Sequence, residues 1–70
     1  MGLLTRTVKV VDNEATGSLM RTARIKTGLS LREMARRLKQ SPPYVSDLEL
    51  GRRKWTQAKV DKWAEILLKA

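Results

Sequence analysis

The stretch from Gly28 to Gly51 constrains the fold of this chain more than any other, because it writes out two short helices with both ends of each. Gly28 is suited to stopping a preceding helix in the left-handed conformation. Ser30 follows with Glu33 three residues on, the S-x-x-E arrangement in which a serine hydroxyl and a glutamate serve first-turn amides reciprocally. Leu31, Met34, Ala35 and Leu38 then fall at offsets 0, 3, 4 and 7, a single helical stripe. Ser41 caps a second helix, in whose first turn Pro42 is tolerated because the missing N–H has no intrahelical partner anyway. Tyr44, Val45 and Leu48 supply its inward side, and Gly51 ends it. The small Ala35 sits mid-helix on the side that must meet this neighbour. It lets two short helices cross closely and steeply.

The flanks read less sharply. Residues 12–18, DNEATGS, are polar and turn-rich, with Gly17 as a breaker and Ser18 as an N-cap, which predicts a first helix over 19–27. Thr56 caps a last helix over 57–69, with Val60, Trp63, Ala64 and Leu67 again at 0, 3, 4 and 7. Trp63 lies on that stripe and reads as core, and Trp55 as a cover that anchors the last helix. Ile66 and Leu68 lie off the stripe, an apolar patch of the kind that meets a partner. Residues 3–11, LLTRTVKVV, alternate like a short strand. A lone strand must pair with a second chain, lie against the domain or fray. The expectation is an all-α bundle of four to five short helices over 18–70, preceded by an extended arm over 1–17.

Composition closes several routes. Seventy residues hold one small domain, and the chain has no Cys and no His. Disulfides, thiolate sites and the usual zinc ligand and general base are therefore missing, and no nucleophile–base set converges. We expect no catalysis, no metal, no cofactor and no small-molecule effector. The longest apolar run is three residues, Ile66 to Leu68, too short for a membrane span. No leader is visible, so a cytoplasmic protein is expected. A domain this small without a staple commonly relies on a second subunit. The net charge is +8, and residues 21–54 carry ten basic against three acidic side chains. Such a field calls for a polyanion, nucleic acid being the commonest.

The string GLSLREMARRLKQSPPYVSDLELGRRKW resembles the lambda-repressor-like, Cro-type helix-turn-helix family. It carries the pattern G-L-S-x-x-E-x-A, then S-x-x-x-[VI]-S-x-[LI]-E-x-G-x-[RK]. The resemblance runs from about residue 18 to 68. It implies that Arg24 and Glu49 form a partly buried ion pair tying the first helix to the third. It also implies that the third helix lies in the DNA major groove, aiming Pro43, Tyr44, Ser46 and Asp47 at base edges. Tyr44 would touch a thymine methyl or a phosphate, or else pack on the bundle. Asp47 would accept from cytosine N4, or pair with Arg36, Arg37 or Arg52. Phosphate contacts are expected from Arg32 at the amino end of the second helix, from Arg36, and from Arg52, Arg53 and Lys54 behind the third.

The chain departs from the family in places. Lys39 stands where the turn usually has glycine, and Gln40 where it has an apolar residue. Leu31 replaces a phosphate-binding glutamine, and Pro42 and Pro43 remove two N–H donors from the groove-facing end. The expected function is sequence-specific binding of double-stranded DNA by a homodimeric transcriptional regulator, a repressor of bacterial or phage type, its dimer interface in the N-terminal strand or the last helix. The alternative is a protein–protein adaptor or antitoxin-like module on the same fold.

Overall fold

Four side chains start the four helices of the computed structural model, which describes residues 12–70. They are α1 (Asn13–Thr27), α2 (Leu31–Leu38), α3 (Pro42–Leu50) and α4 (Gln57–Lys69). Asp12, Ser30, Ser41 and Thr56 are the N-caps, each in extended backbone and each accepting from an amide three residues on. Gly28 and Gly51 close α1 and α3 at φ 89° and 80°. The all-α expectation holds for the described residues, and the strand expected over 3–11 lies outside them. No described helix is long and apolar enough to cross a membrane.

One helix start differs from expectation. α1 begins at Asn13 under the Asp12 cap, not after Ser18, so residues 13–17 of the supposed arm are helical. Gly17 does not break this helix; it is buried inside it. A Cβ on Gly17 would stand 2.4 Å from the Leu48 carbonyl oxygen and 2.6 Å from that of Glu49. The glycine therefore marks the place where α1 crosses the end of α3 backbone to backbone. Propensity alone, about 1 kcal/mol against glycine, points the other way and is overruled by the crossing.

The core is Met34, Ala35, Val45, Leu48, Trp55, Trp63 and Ile66, with Tyr44 and Leu67 among the residues packed at its margin. Trp55 and Trp63 meet edge to face at 5.3 Å between ring centroids, a contact worth about 0.5–1.5 kcal/mol beyond burial. Each indole N–H also serves a helix carbonyl. Trp55 Nε1 donates to Leu48 at 2.9 Å, and Trp63 Nε1 to Met20 at 3.1 Å. The Leu48 carbonyl lies in a last turn, where intrahelical donors run out. The Trp55 amide donates to Asn13 Oδ1 at 2.9 Å, joining the loop after α3 to the start of α1. On α4, Ile66 is buried and Ala64 exposed, the reverse of the expected stripe. α4 packs on both α1 and α2, and that widens its buried arc toward Ile66. Leu68 remains open to solvent.

Candidate nucleic-acid interface

α2 and α3 are joined by a turn that the sequence makes difficult. Lys39 caps α2 at φ 60°, ψ 42°, a left-handed conformation costing a residue with a Cβ about 1–2 kcal/mol. The turn is held by amides returning to α2: Lys39 N–H donates to Arg36 and Gln40 N–H to Ala35, at 3.1 and 2.9 Å. Met34 and Ala35 then lie against Val45, all three at 1% exposure or less. The crossing buries Val45, Leu48 and Glu49 of α3 and leaves the opposite face open. On that face Pro43, Asp47 and Leu50 follow one another at helical spacing, flanked by the half-buried Tyr44 and Ser46. Leu50, 52% exposed, was not singled out in the sequence, although its spacing from Pro43 and Asp47 carried the signal.

Behind this face the chain folds back on itself. Gly51 takes positive φ and rests against the first turn of α1, where a Cβ would lie 2.6 Å from Glu14 Cα. Arg52 N–H returns to the Asp47 carbonyl at 2.8 Å, the bond of a Schellman closure that spans six residues. Two guanidinium groups consequently sit beside the Asp47 carboxylate, Arg53 Nε at 3.6 Å and Arg52 Nη1 at 3.8 Å. Arg53 also covers the Tyr44 ring, 5.1 Å from its centroid, with Lys59 Nζ at 5.8 Å. Lys59 donates to the Lys54 carbonyl at 2.7 Å. Tyr44 is thus a ring at the edge of the core, flanked by two cations.

α2 presents its own charges differently. Arg32 is exposed in the first turn. Glu33 N–H donates to Ser30 Oγ, but the Glu33 carboxylate turns to Arg36 and Arg37. Arg36 donates at 3.2 and 2.8 Å and Arg37 at 2.9 Å. The Arg36 hydrogen bonds, followed by that of Arg37, hold the Glu33 carboxyl below its ordinary 4.5, and Arg36 is raised in return. Arg36 and Arg37 are therefore not the partners of Asp47; Arg52 and Arg53 are.

Arg24 and Glu49 meet inside the fold. Arg24 Nε donates to Glu49 Oε2 at 2.6 Å, Nη2 to Oε1 at 3.1 Å, and Nη1 to the Leu29 carbonyl at 2.7 Å. Their side chains are 9% and 4% exposed. One guanidinium so ties α1, the loop before α2 and α3, which sets the pose of the outward face. Arg21 Nε stands 3.8 Å from Glu49 Oε1 and is largely open to solvent. It overlooks a groove of about 620 Å³ between α1 and α3 that Leu31, Ser46 and Leu50 also line. Among the described residues no cluster of three acidic groups could hold a metal ion.

A family model described as helix-turn-helix matches residues 20–68. Two crystal structures of the clp gene regulator ClgR from Corynebacterium glutamicum are similar in fold. One is 32% identical at a TM-score of 0.75, covering 84% of this chain and 76% of that one. The other is 33% identical at the same TM-score, covering 83% of this chain and 62% of that one, so the chain spans somewhat less than two thirds of its length. No curated protein matches.

Proposed function

The chain belongs to the lambda-repressor-like helix-turn-helix family, and from that premise we propose that it binds double-stranded DNA sequence-specifically as a transcriptional regulator. The observation that carries this reading is the outward face of α3, Pro43–Asp47–Leu50 flanked by Tyr44 and Ser46, with Arg52, Arg53 and Lys54 directly behind it. A helix of nine residues spans about 13 Å, enough to cross the floor of a major groove roughly 12 Å wide. Pro43, Tyr44, Ser46 and Asp47 face the bases in this pose. Arg52, Arg53, Lys54, Arg32 and Arg36 grip phosphates on either side. Because Pro42 and Pro43 donate no hydrogen bonds, direct readout rests on Tyr44, Ser46 and Asp47, with Leu50 adding apolar contact. The protein acts as a homodimeric repressor on a two-fold operator with half-sites about one helical turn apart.

Selection of duplexes from a random pool at two salt concentrations tests the proposal. A palindromic motif is expected. With about four of these five phosphate contacts made at once in each subunit, the log–log salt slope is near −7 for the dimer. Arg52→Ala with Arg53→Ala should weaken binding to every duplex and flatten the slope; an unchanged slope would refute the assignment. An adaptor role is favoured by the exposed Leu50 and Leu68. It gains if no duplex is enriched at either salt concentration.

A further inference from the structure

The two arginines that grip phosphate in the proposed pose are the same two that stand beside the only carboxylate on the outward face of α3. From this shared placement we infer that Asp47 is the specificity-determining residue of the interface, acting as a latch on Arg52 and Arg53 that releases them when its carboxylate finds a base-edge donor. The inference rests on the DNA-binding reading above and adds to it the manner in which base identity controls backbone grip.

The latch follows from the backbone. Gly51 turns the chain back, and the Arg52 amide is bonded to the Asp47 carbonyl. The following side chains must therefore lie beside Asp47. Their separations from the carboxylate, 3.8 Å for Arg52 and 3.6 Å for Arg53, exceed hydrogen-bond length, and the two side chains are 71% and 53% exposed respectively. Ion pairs this open and this loose are weak and exchange readily for another anion. Asp47 itself is only 32% exposed, held on a rigid helix at the end of which phosphates would approach. When Arg52 and Arg53 move to phosphates, Asp47 is left as a bare anion in the negative field of the duplex. A cytosine N4 amino group gives it a donor; an acceptor at the same place leaves it repelled. Full engagement of both arginines is thereby restricted to duplexes offering a donor there. The Tyr44 ring, 5.1 Å from the Arg53 guanidinium, keeps that side chain near the latch in the free protein.

The test measures binding of the full chain to its selected duplex, to the same duplex changed at single base pairs, and to unrelated duplex, over a range of salt. Asp47→Asn is compared with Glu33→Gln, which removes a carboxylate from Arg36 and Arg37 on a different helix. For Asp47→Asn, affinity for unrelated duplex should rise about tenfold per subunit near 0.1 M salt, the slope should steepen by about one per subunit, and the preference at one base pair should vanish. Glu33→Gln should raise affinity without altering preference at any base pair. Asp47→Asn that binds unrelated duplex like the parent, or binds everything more tightly with every base preference intact, overturns the latch. A parent chain that binds no duplex in a salt-dependent way overturns the DNA-binding reading instead. Circular dichroism confirms that each variant is folded.

Discussion

Replacing Gly17 by alanine should destabilise this domain, although the local sequence argues for the opposite. At an open site inside a helix, glycine to alanine gains about 1 kcal/mol. Here the new Cβ would stand 2.4 and 2.6 Å from two backbone oxygens, where real Cβ contacts stay beyond 3.0 Å. Those oxygens belong to Leu48 and Glu49 in the last turn of α3. The Leu48 carbonyl, the nearer of the two, is further held by the Gly51 amide and the Trp55 indole, so it cannot rotate aside. α1 must lift away from α3, and the lift also stretches the Arg24–Glu49 pair, now at 2.6 Å. Forcing extra volume into a packed site costs about 1–3 kcal/mol. A backbone-on-backbone clash belongs in the upper part of that range. After the gain in propensity the net loss is about 1–2 kcal/mol. For a domain of this size that lowers Tm by roughly 5–15 °C. Thermal unfolding followed by far-ultraviolet circular dichroism reads the change directly, with Ser18→Ala as the companion. Ser18 is the next residue on the same helix and is exposed, so its replacement should be neutral or mildly stabilising. A Gly17→Ala protein that melts at or above the parent would refute the close crossing of α1 and α3.

Other perturbations follow from the same structure. Arg24→Ala leaves a carboxylate that is 4% exposed with only the solvent-exposed Arg21 beside it at 3.8 Å, and should cost about 3–5 kcal/mol in denaturant unfolding. Replacing Arg24 and Glu49 together by methionine should recover most of that, and a single-variant loss below about 1 kcal/mol would argue against a buried pair. Lys39→Gly relieves a left-handed residue and should hold or raise the unfolding free energy by up to about 1 kcal/mol, whereas Lys39→Val should lower it. Because Glu33 titrates below 4.5 in the fold, its pairing stabilises above 4.5 and is lost as pH falls through the depressed folded value. The Tm difference between the parent and Glu33→Gln should therefore shrink to nothing in acid; a difference independent of pH would rule out that linkage.

The helix ends of the central pair could be read directly, because an N-cap or a left-handed glycine is a local transaction among four or five neighbouring residues. Ser30, Ser41, Thr56, Gly28 and Gly51 needed no partner from elsewhere in the chain. The apolar stripe of α2 and the link between Arg24 and Glu49 were legible for related reasons: periodicity names a face, and a family pattern names a pair. What the sequence alone could not decide depended on which backbone lies against which. Gly17 looks like a breaker until α3 is laid across it. Ile66 and Ala64 exchange places once α4 rests on two helices rather than one. Asp47 had several arginines within sequence reach. The bend at Gly51 delivered Arg52 and Arg53, while Glu33 had already engaged Arg36 and Arg37. Local chemistry sets where each helix starts and stops, but close approach and charge pairing are properties of surfaces brought together, and these exist only after the helices have packed.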